Sequence, residues 1–337
     1  LLGMKDITLL ITGANSGIGF ACTTKFIDHY APAAGIDEYL TIIITCRTKE
    51  KAQNTISRLK MHVPLRELKL YYELLDLSEM ESVEAFCRSI LLKYKKLDII
   101  VFNAGIGGFI GIKWMDAIWD IFTNFMNAIT YPSWKKQGIS VKSKNQLGLV
   151  FQVNVFSYIY IKERLSSLFL PSSRLIWVSS LECQPSAFSI FDIQCFYGKL
   201  PYESSKRLMD IYHFATYEKL FYSQYLCHPG ICRTNIMAEH LNCFSTFFMI
   251  IIFYIARFLG SPWHTCTSVN GAYSIVYCAT EQNVPCNIKW GSGINRWGRN
   301  VLRKSNVIEI KKDEADIVVD YLHNLVKEWK DRFFINF

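Results

Sequence analysis

The sequence predicts an α/β fold, a single doubly wound parallel sheet with helices on both faces. Three observations carry that expectation. Short apolar runs recur over about the first 230 residues, helical stretches separate them, and a glycine-rich turn follows the first run. Runs rich in Ile, Val, Leu and Tyr without polar alternation suit strands covered on both faces, the usual situation in a parallel sheet. Right-handed crossovers between such strands then distribute the helices over both sides.

The elements follow in order. Residues 7–11 form the first strand, and a helix over 17–30 opens from the glycine turn. Strands at 39–45 and 68–75 flank a helix over 49–60; a helix over 80–93 leads to a fourth strand at 97–102. Residues 106–146 break the rhythm, being too long for a strand-to-helix connection, and are read as an insertion carrying Lys135, Lys136, Lys142 and Lys144. A helix over 147–168, a strand at 174–178, a helix over 202–221 and a strand at 224–227 resume the alternation. In the helix after Tyr202, Leu208, Ile211, Tyr212 and Ala215 keep the i, i+3, i+4, i+7 spacing of one buried face. Residues 231–264 read as a substrate lid or membrane-associating segment, because 241–256 carry no charge at all. A last amphipathic helix is marked by Val318, Tyr321, Leu322, Leu325 and Trp329. With neither repeats nor a low-complexity linker, residues 1–337 are expected to form one domain.

Composition narrows the function. Half the residues are hydrophobic, 20% are charged and the mean hydropathy is +0.14, which excludes disordered, collagenous and coiled-coil chains. The net charge of +8 suits an anionic cofactor or an acidic membrane surface. Without an Arg-rich helix, RNP-type motif or finger spacing, nucleic acid is not an expected partner. Eleven cysteines, odd in number and free of C-x-x-C pairs, read as reduced and mostly buried thiols in a compartment facing the cytosol. No histidine or cysteine cluster has metal-ligand spacing. The first strand begins at once, with Lys5 and Asp6 before it, unlike a signal peptide.

After the first strand stands Thr12-Gly13-Ala14-Asn15-Ser16-Gly17-Ile18-Gly19. Glycines here allow a tight turn and bring backbone N–H groups to a pyrophosphate at a helix N-terminus, as in a Rossmann-type site. The spacing is not that of a P-loop. At the end of the second strand an acid would select NAD through the ribose 2′-hydroxyl; here Arg47 stands instead, followed by Lys49 and Lys51. A guanidinium suits the 2′-phosphate, so NADP(H) is the expected cofactor.

With three further motifs the sequence resembles the short-chain dehydrogenases/reductases. Asn103-Ala104-Gly105 ends the fourth strand, Val178-Ser179-Ser180 ends the fifth, and Tyr202-Glu203-Ser204-Ser205-Lys206 opens the next helix, with Pro229, Gly230 and Thr234 after the sixth strand. The resemblance covers about residues 5 to 235. Tyr131 with Lys135 and Tyr158 with Lys162 have the same Y-x-x-x-K spacing. The first lies in the insertion and the second precedes the serine strand, so both are read as chance. Spacing i, i+4 puts Tyr202 and Lys206 on one helix face, where the ammonium is expected to lower the Tyr202 pKa toward neutrality. Tyr202 then exchanges a proton with a carbonyl that Ser180 holds by hydrogen bonding.

What the resemblance adds is that Lys206 binds the nicotinamide ribose, Asn154 supports a water-borne proton relay and Asp76 reads the adenine amino group. From the residues alone, Asn154 also suits a helix cap or a buried helix contact, and Asp76 an N-cap for which Ser78 competes. The stretch from Ser180 to Tyr202 is longer than the family pattern and is expected to build a substrate wall from Phe188, Phe191 and Phe196.

Tyr202 to Leu208 continuing to Ala215-Thr216-Tyr217, Val141 to Lys144, and Ala256 to His264 resemble a narrower group, the fungal 3-keto sterol reductases of ergosterol synthesis. That resemblance implies NADPH-dependent reduction of a sterol 3-keto group to a 3β-hydroxyl after C4 demethylation. It also implies contacts with other sterol enzymes and a place on the endoplasmic reticulum membrane or lipid droplets. Residues 241–256 fall short of the ~20 needed to span a bilayer and read as a lid or interfacial helix, with Arg257 and Trp263 as anchors and the insertion lysines toward headgroups. His228 is read as a satisfied strand-end histidine.

Overall fold

The computed structural model describes residues 6–30, 39–62, 68–234, 236 and 241–335. In chain order these form β1 (Asp6–Thr12), α1 (Gly17–Tyr30), β2 (Tyr39–Cys46), α2 (Lys49–His62), β3 (Leu68–Leu74), α3 (Met80–Lys93) and β4 (Leu97–Phe102). The insertion contributes β5 (Phe109–Ile112), α4 (Trp114–Thr123), α5 (Phe125–Thr130) and β6 (Lys135–Gln137). A continuous helix follows as α6 (Leu149–Phe151), a π-turn (Gln152–Phe156) and α7 (Ser157–Arg164), leading to β7 (Phe169–Val178), α8 (Pro201–Thr216) and β8 (Ser223–His228). The rest is α9 (Cys243–Phe258), α10 (Ser268–Gly271), α11 (Tyr273–Thr280), β9 (Lys289–Ile294), β10 (Asn300–Ser305) and α12 (Lys312–Ile335).

Eight strands form one sheet in the order β10-β9-β8-β7-β4-β1-β2-β3, parallel throughout except for β10, which pairs antiparallel with β9. Strand alternation builds two cores from it. Leu10 and Ile43 face one side, where α3, α7, α8 and α12 deliver Val83, Tyr158, Leu208 and Val318. Leu9, Ile11, Ile42 and Ile44 face the other, against Phe26 of α1, Ala52 of α2 and Ile275 of α11. The sequence predicts β1 to β4, β7 and β8 and the helices that cross between them, but neither β5 nor β6 in the insertion. It misses β9 and β10, since Lys289-Trp290-Gly291-Ser292-Gly293-Ile294 has no apolar run, yet all six residues are buried.

The insertion is structured. β5 and β6 pair antiparallel, and α4 and α5 lie between them. One of its lysines does not face outward as expected: Lys135 is buried in ion pairs with Glu182 and Glu203, whereas Lys144 is exposed and pairs with Glu79 at the surface. Part of the expected lid segment, residues 235 and 237–240, lies outside the described residues. Beyond it Asn242 caps α9 by accepting from Ser245 N at 2.8 Å. Phe244 is 72% exposed, Phe247 60% and Phe258 68%, while Ala256 alone in α9 is buried. Trp263 is half-buried, and its ring packs 5.1 Å from that of His228. Among the described residues no helix is long and apolar enough to cross a membrane.

Candidate active site

Strand order reverses between β1 and β4, and in an open α/β sheet the crevice at the strand C-termini beside such a reversal receives the ligand. Every motif residue lies along that edge. Gly13 (φ +68°) and Gly17 (φ +55°) adopt the left-handed backbone that glycine tolerates. A Cβ on Gly13 would stand 2.9 Å from that of Ala104, and one on Gly19 would stand 2.3 Å from Gly13 O, so the loop closes only without side chains. Beside Gly17 nothing lies within 4 Å, which leaves its outer face open at the N-terminus of α1. Thr12 Oγ1 accepts the N–H groups of Asn103 (2.9 Å) and Ala104 (3.1 Å), and Asn103 Nδ2 donates to Thr12 O at 2.8 Å. These bonds lock the first and fourth strand ends together with Gly105 at the rim. Gly230 (φ +70°) follows Pro229 at the end of β8, where a Cβ would meet Trp263 O at 2.5 Å. This cradle fits a dinucleotide, whose pyrophosphate would lie at the α1 N-terminus beside Asn15, Ser16, Gly17 and Ile18.

Two guanidinium groups stand toward the β2 side. Thr12 and Thr45 are in register, so exposed Arg47 emerges beside the glycine loop. Arg58 of α2 donates to Asn15 O at 3.2 Å and lies 4.0 Å from the Phe20 ring centroid. Nothing in the sequence marked Arg58, because it looks like any exposed helix charge. Asp76 follows β3, and its Oδ1 accepts from Ser78 N (2.9 Å) and Ser78 Oγ (2.6 Å), closing an Asx turn. The N-cap of α3 is Glu79, not Asp76.

The chemistry-bearing side chains converge from three elements. Asn154 sits in the π-turn, a distortion that often marks functional positions. Its amide exchanges 2.9 Å bonds with both the N–H and the C=O of Ile106 and donates to Ser205 Oγ at 3.0 Å, tying the rim after β4 to α8. Ser180 follows β7, its Oγ accepting from Glu182 N at 3.0 Å, and its hydroxyl is near enough to the Tyr202 phenol to favour the phenolate. Its neighbour Ser179 is buried and spent, donating to Asp210 Oδ1 at 2.6 Å. Lys206 Nζ donates to Val178 O at 2.8 Å and lies 5.7 Å from the Tyr202 ring centroid.

Electrostatics reverse one expectation. The Tyr202 phenol is pushed above the usual phenol range, not down toward neutrality: burial dominates, Glu182 and then Glu203 add to it, and the Ser180 hydroxyl opposes. Lys206 does not offset this, because burial and then the Lys289 ammonium pull its own pKa down to about 8 against the opposing pull of Asp210. Lys289 itself was missed by the sequence reading. From β9 its Nζ donates to Asp210 Oδ2 (2.6 Å), Ser180 O (2.7 Å) and Ser179 Oγ (3.0 Å), and the ion pair is fully buried behind the serine turn.

The other Y-x-x-x-K pairs have structural work. Tyr158 OH bonds Ala104 O (2.5 Å) and Thr12 Oγ1 (2.9 Å), while Lys162 donates to Tyr212 OH at 3.1 Å. Tyr131 ends α5 and Lys135 lies in β6, so no helix joins them. The expected phenylalanine wall does not form as one surface: Phe188 packs on the core, Phe191 is 94% exposed, and Phe196 lies under Lys142. His228 is only half satisfied, since Nδ1 accepts from Gly230 N at 3.2 Å and buried Nε2 has no partner. Among the described residues no group of His, Cys, Asp and Glu is placed to hold a metal.

Comparison with known proteins points the same way as this geometry. A family model described as short chain dehydrogenase matches residues 8–191. Over 330 residues the chain is 38% identical to the 3-keto-steroid reductase of Schizosaccharomyces pombe, covering 96% of this chain and 97% of the relative. It is 34% identical over 340 residues to the 3-keto-steroid reductase of Candida albicans, covering 98% and 96%. Among solved structures, a blue fluorescent protein from a metagenomic library in complex with NADPH superposes with a TM-score of 0.57 at 13% identity, over 85% of this chain and 95% of that one. At that identity the likeness concerns the fold alone.

Proposed function

This chain belongs to the short chain dehydrogenase family, and from that premise we propose that it is an NADPH-dependent 3-keto sterol reductase. It reduces the 3-keto group of a C4-demethylation intermediate to a 3β-hydroxyl in ergosterol biosynthesis. The observation that carries the reading is the convergence of Ser180, Tyr202 and Lys206 on the crevice edge that also holds the glycine loop. The relatives named 3-keto-steroid reductases, matched over nearly the whole chain, supply the substrate class.

A bound nicotinamide supplies the hydride. Ser180 fixes the carbonyl oxygen, and Tyr202, which burial keeps protonated, gives its phenolic proton to that oxygen as it becomes an alkoxide. Lys206 holds the nicotinamide ribose, and Asn154 fixes the rim along which a proton returns to the phenol. Arg47, with Arg58 beside it, reads the 2′-phosphate; Asp76 reads the adenine amino group.

A sterol is a rigid apolar plate with one polar end, and it reaches the enzyme from a membrane. Two neighbouring helices suit that source. α9 exposes Phe244, Phe247 and Phe258, and α4 exposes Trp119 and Phe122; both pack against α5. At ~24 Å, α9 is shorter than the ~30 Å hydrocarbon core, so it lies in the interface. This fits residence on the endoplasmic reticulum or lipid droplets, with the catalytic domain on the cytosolic side and other sterol enzymes within reach.

The test is NADPH oxidation with 4-methylated and 4-demethylated 3-keto sterols. Native protein is expected to turn over at least one of them, Tyr202→Phe to lose about 10²–10⁴-fold, and Arg47→Ala to narrow the preference for NADPH over NADH. Absence of sterol turnover by the native protein overturns the substrate; an equally active Tyr202→Phe overturns the mechanism.

A further inference from the structure

Behind the serine turn, Lys289 and Asp210 form an ion pair whose side chains are 1% and 0% exposed. Burying two charges is costly unless each finds further partners, so the direction of their remaining bonds is informative. Those bonds go to one turn. Lys289 Nζ, besides its 2.6 Å bond to Asp210 Oδ2, donates to Ser180 O at 2.7 Å and to Ser179 Oγ at 3.0 Å, and it stands 3.2 Å from Cys183 Sγ. Asp210 Oδ1 accepts the Ser179 hydroxyl proton at 2.6 Å. Both ions thus direct their spare hydrogen bonds to the segment between β7 and the crevice, and not to β9 or α8 themselves.

The turn is held residue by residue. Val178 O accepts from Lys206 Nζ at 2.8 Å, Ser179 N donates to Cys227 O at 2.7 Å, and Ser180 O accepts from Lys289. Tyr202, Lys206 and Asp210 follow at i, i+4 and i+8, so one face of α8 carries the phenol and two of the groups that fasten the turn. The two adjacent serines are treated differently. The Ser179 hydroxyl is enclosed between Asp210 and Lys289. Ser180 Oγ accepts from Glu182 N at 3.0 Å, a bond that fixes the oxygen and leaves its proton for a carbonyl.

We propose that Lys289 and Asp210 are positioning residues for Ser180: from behind the turn they take up the Ser179 hydroxyl and pin the Ser180 carbonyl, so that the second serine of the pair, and not the first, presents its hydroxyl to the substrate. Neither ion needs to touch the substrate. That role rests on the reading of Ser180 as the group that fixes the carbonyl, and it supplies what aims that group. β9, which extends the sheet beside β8, thereby acts on the reacting atoms through one lysine.

A double-mutant cycle between the ion pair and Ser180 tests this at pH 7, where Lys206, held at about 8, keeps its proton. Lys289→Met together with Asp210→Leu replaces both charges by apolar side chains, a change that buried pairs generally tolerate. In the native background it is expected to lower kcat for 3-keto sterol reduction about 10- to 100-fold by displacing the Ser180 hydroxyl, with NADPH affinity kept within about threefold. In a Ser180→Ala background, itself about 10²–10³-fold slower, the same replacement is expected to cost less than about threefold more, because nothing remains to be aimed. No loss in the native background, equal losses in the two, or a matching loss of NADPH affinity overturns the proposal, since a merely structural pair would act on both backgrounds alike. A readout without substrate separates it from the sterol reading. Hydrogen exchange of peptides covering residues 179–183 in NADPH-bound protein is expected to quicken at least about tenfold in the pair variant, while the glycine loop keeps its protection. If native protein reduces no 3-keto sterol, the substrate assignment fails and exchange alone decides; unchanged exchange overturns the proposal in either case. Where circular dichroism shows that the pair variant does not fold, Ser179→Ala takes its place, since it cuts a link between turn and pair and leaves both charges. Its loss must show the same dependence on Ser180.

Discussion

Lys206 carries the sharpest stability consequence of the site. Burial holds its ammonium near 8 instead of 10.5, so between those values the unfolded chain binds more protons than the folded one. Stability therefore rises with pH across roughly 8 to 10.5, and the cost of the buried charge is fully present below about 8. Lys206→Met is expected to be inactive yet more resistant to urea at pH 7, by roughly 1–3 kcal/mol once the freed Val178 carbonyl is counted. That advantage should fade by about pH 10.5. A variant less stable than native at pH 7 would show that the charge is better accommodated than its surroundings imply. At this scale the sequence was informative where the motif is local: Tyr202 and Lys206 are one helical turn apart, and the order of motifs separated them from two identical spacings. It was silent on Lys289 and Asp210, which are 79 residues apart and read as ordinary solvated charges until β9 brings them together. It also misjudged the direction of the Tyr202 shift, because the burial that dominates it depends on tertiary packing that local spacing does not disclose, and Glu182 adds to it.

Among the elements, α9 and the insertion tested what hydropathy can tell. The uncharged run announced a helix, and a helix over Cys243–Phe258 is what forms. Which of its faces is covered depends on a contact with α5, and no periodicity within α9 discloses that. The insertion was legible as an interruption but not as a hairpin, since β6 has three residues, two of them lysine. If α9 rests on a membrane, its exposed rings give up water there, each contributing about 1–2 kcal/mol. Replacing Phe244, Phe247 and Phe258 together by Ser should then weaken co-sedimentation with vesicles of mixed zwitterionic and anionic lipid by 100-fold or more. Thermal unfolding should hardly change, because these side chains are exposed in the fold. Undiminished co-sedimentation with the fold intact would remove α9 from the membrane contact.

Over the whole molecule, the legible part is the run of about 230 residues in which each strand is followed by its own helix, so that local periodicity and global topology agree. The remaining third wraps back onto it through long-range contacts. β9 extends the parallel sheet next to β8 and delivers Lys289. Buried Arg207, one residue after Lys206, donates to Ile308 O at 2.9 Å and Glu309 O at 3.0 Å, fastening the approach to α12. α12 then lies along α8 and closes the core with Val318, Leu322, Val326 and Trp329. The catalytic helix is thus held from behind by the end of the chain. Trp329→Ala empties a site that is 5% exposed and should cost ~3–5 kcal/mol in equilibrium unfolding. Because α8 and α12 share one core, the loss should appear as a lower urea midpoint for the whole protein in a single transition. NADPH protection should survive, since the glycine loop lies on the other side of β1 from that core. A separate early transition for α12, with the rest unfolding as in native protein, would mean that the C-terminal helix decorates the fold and does not complete it.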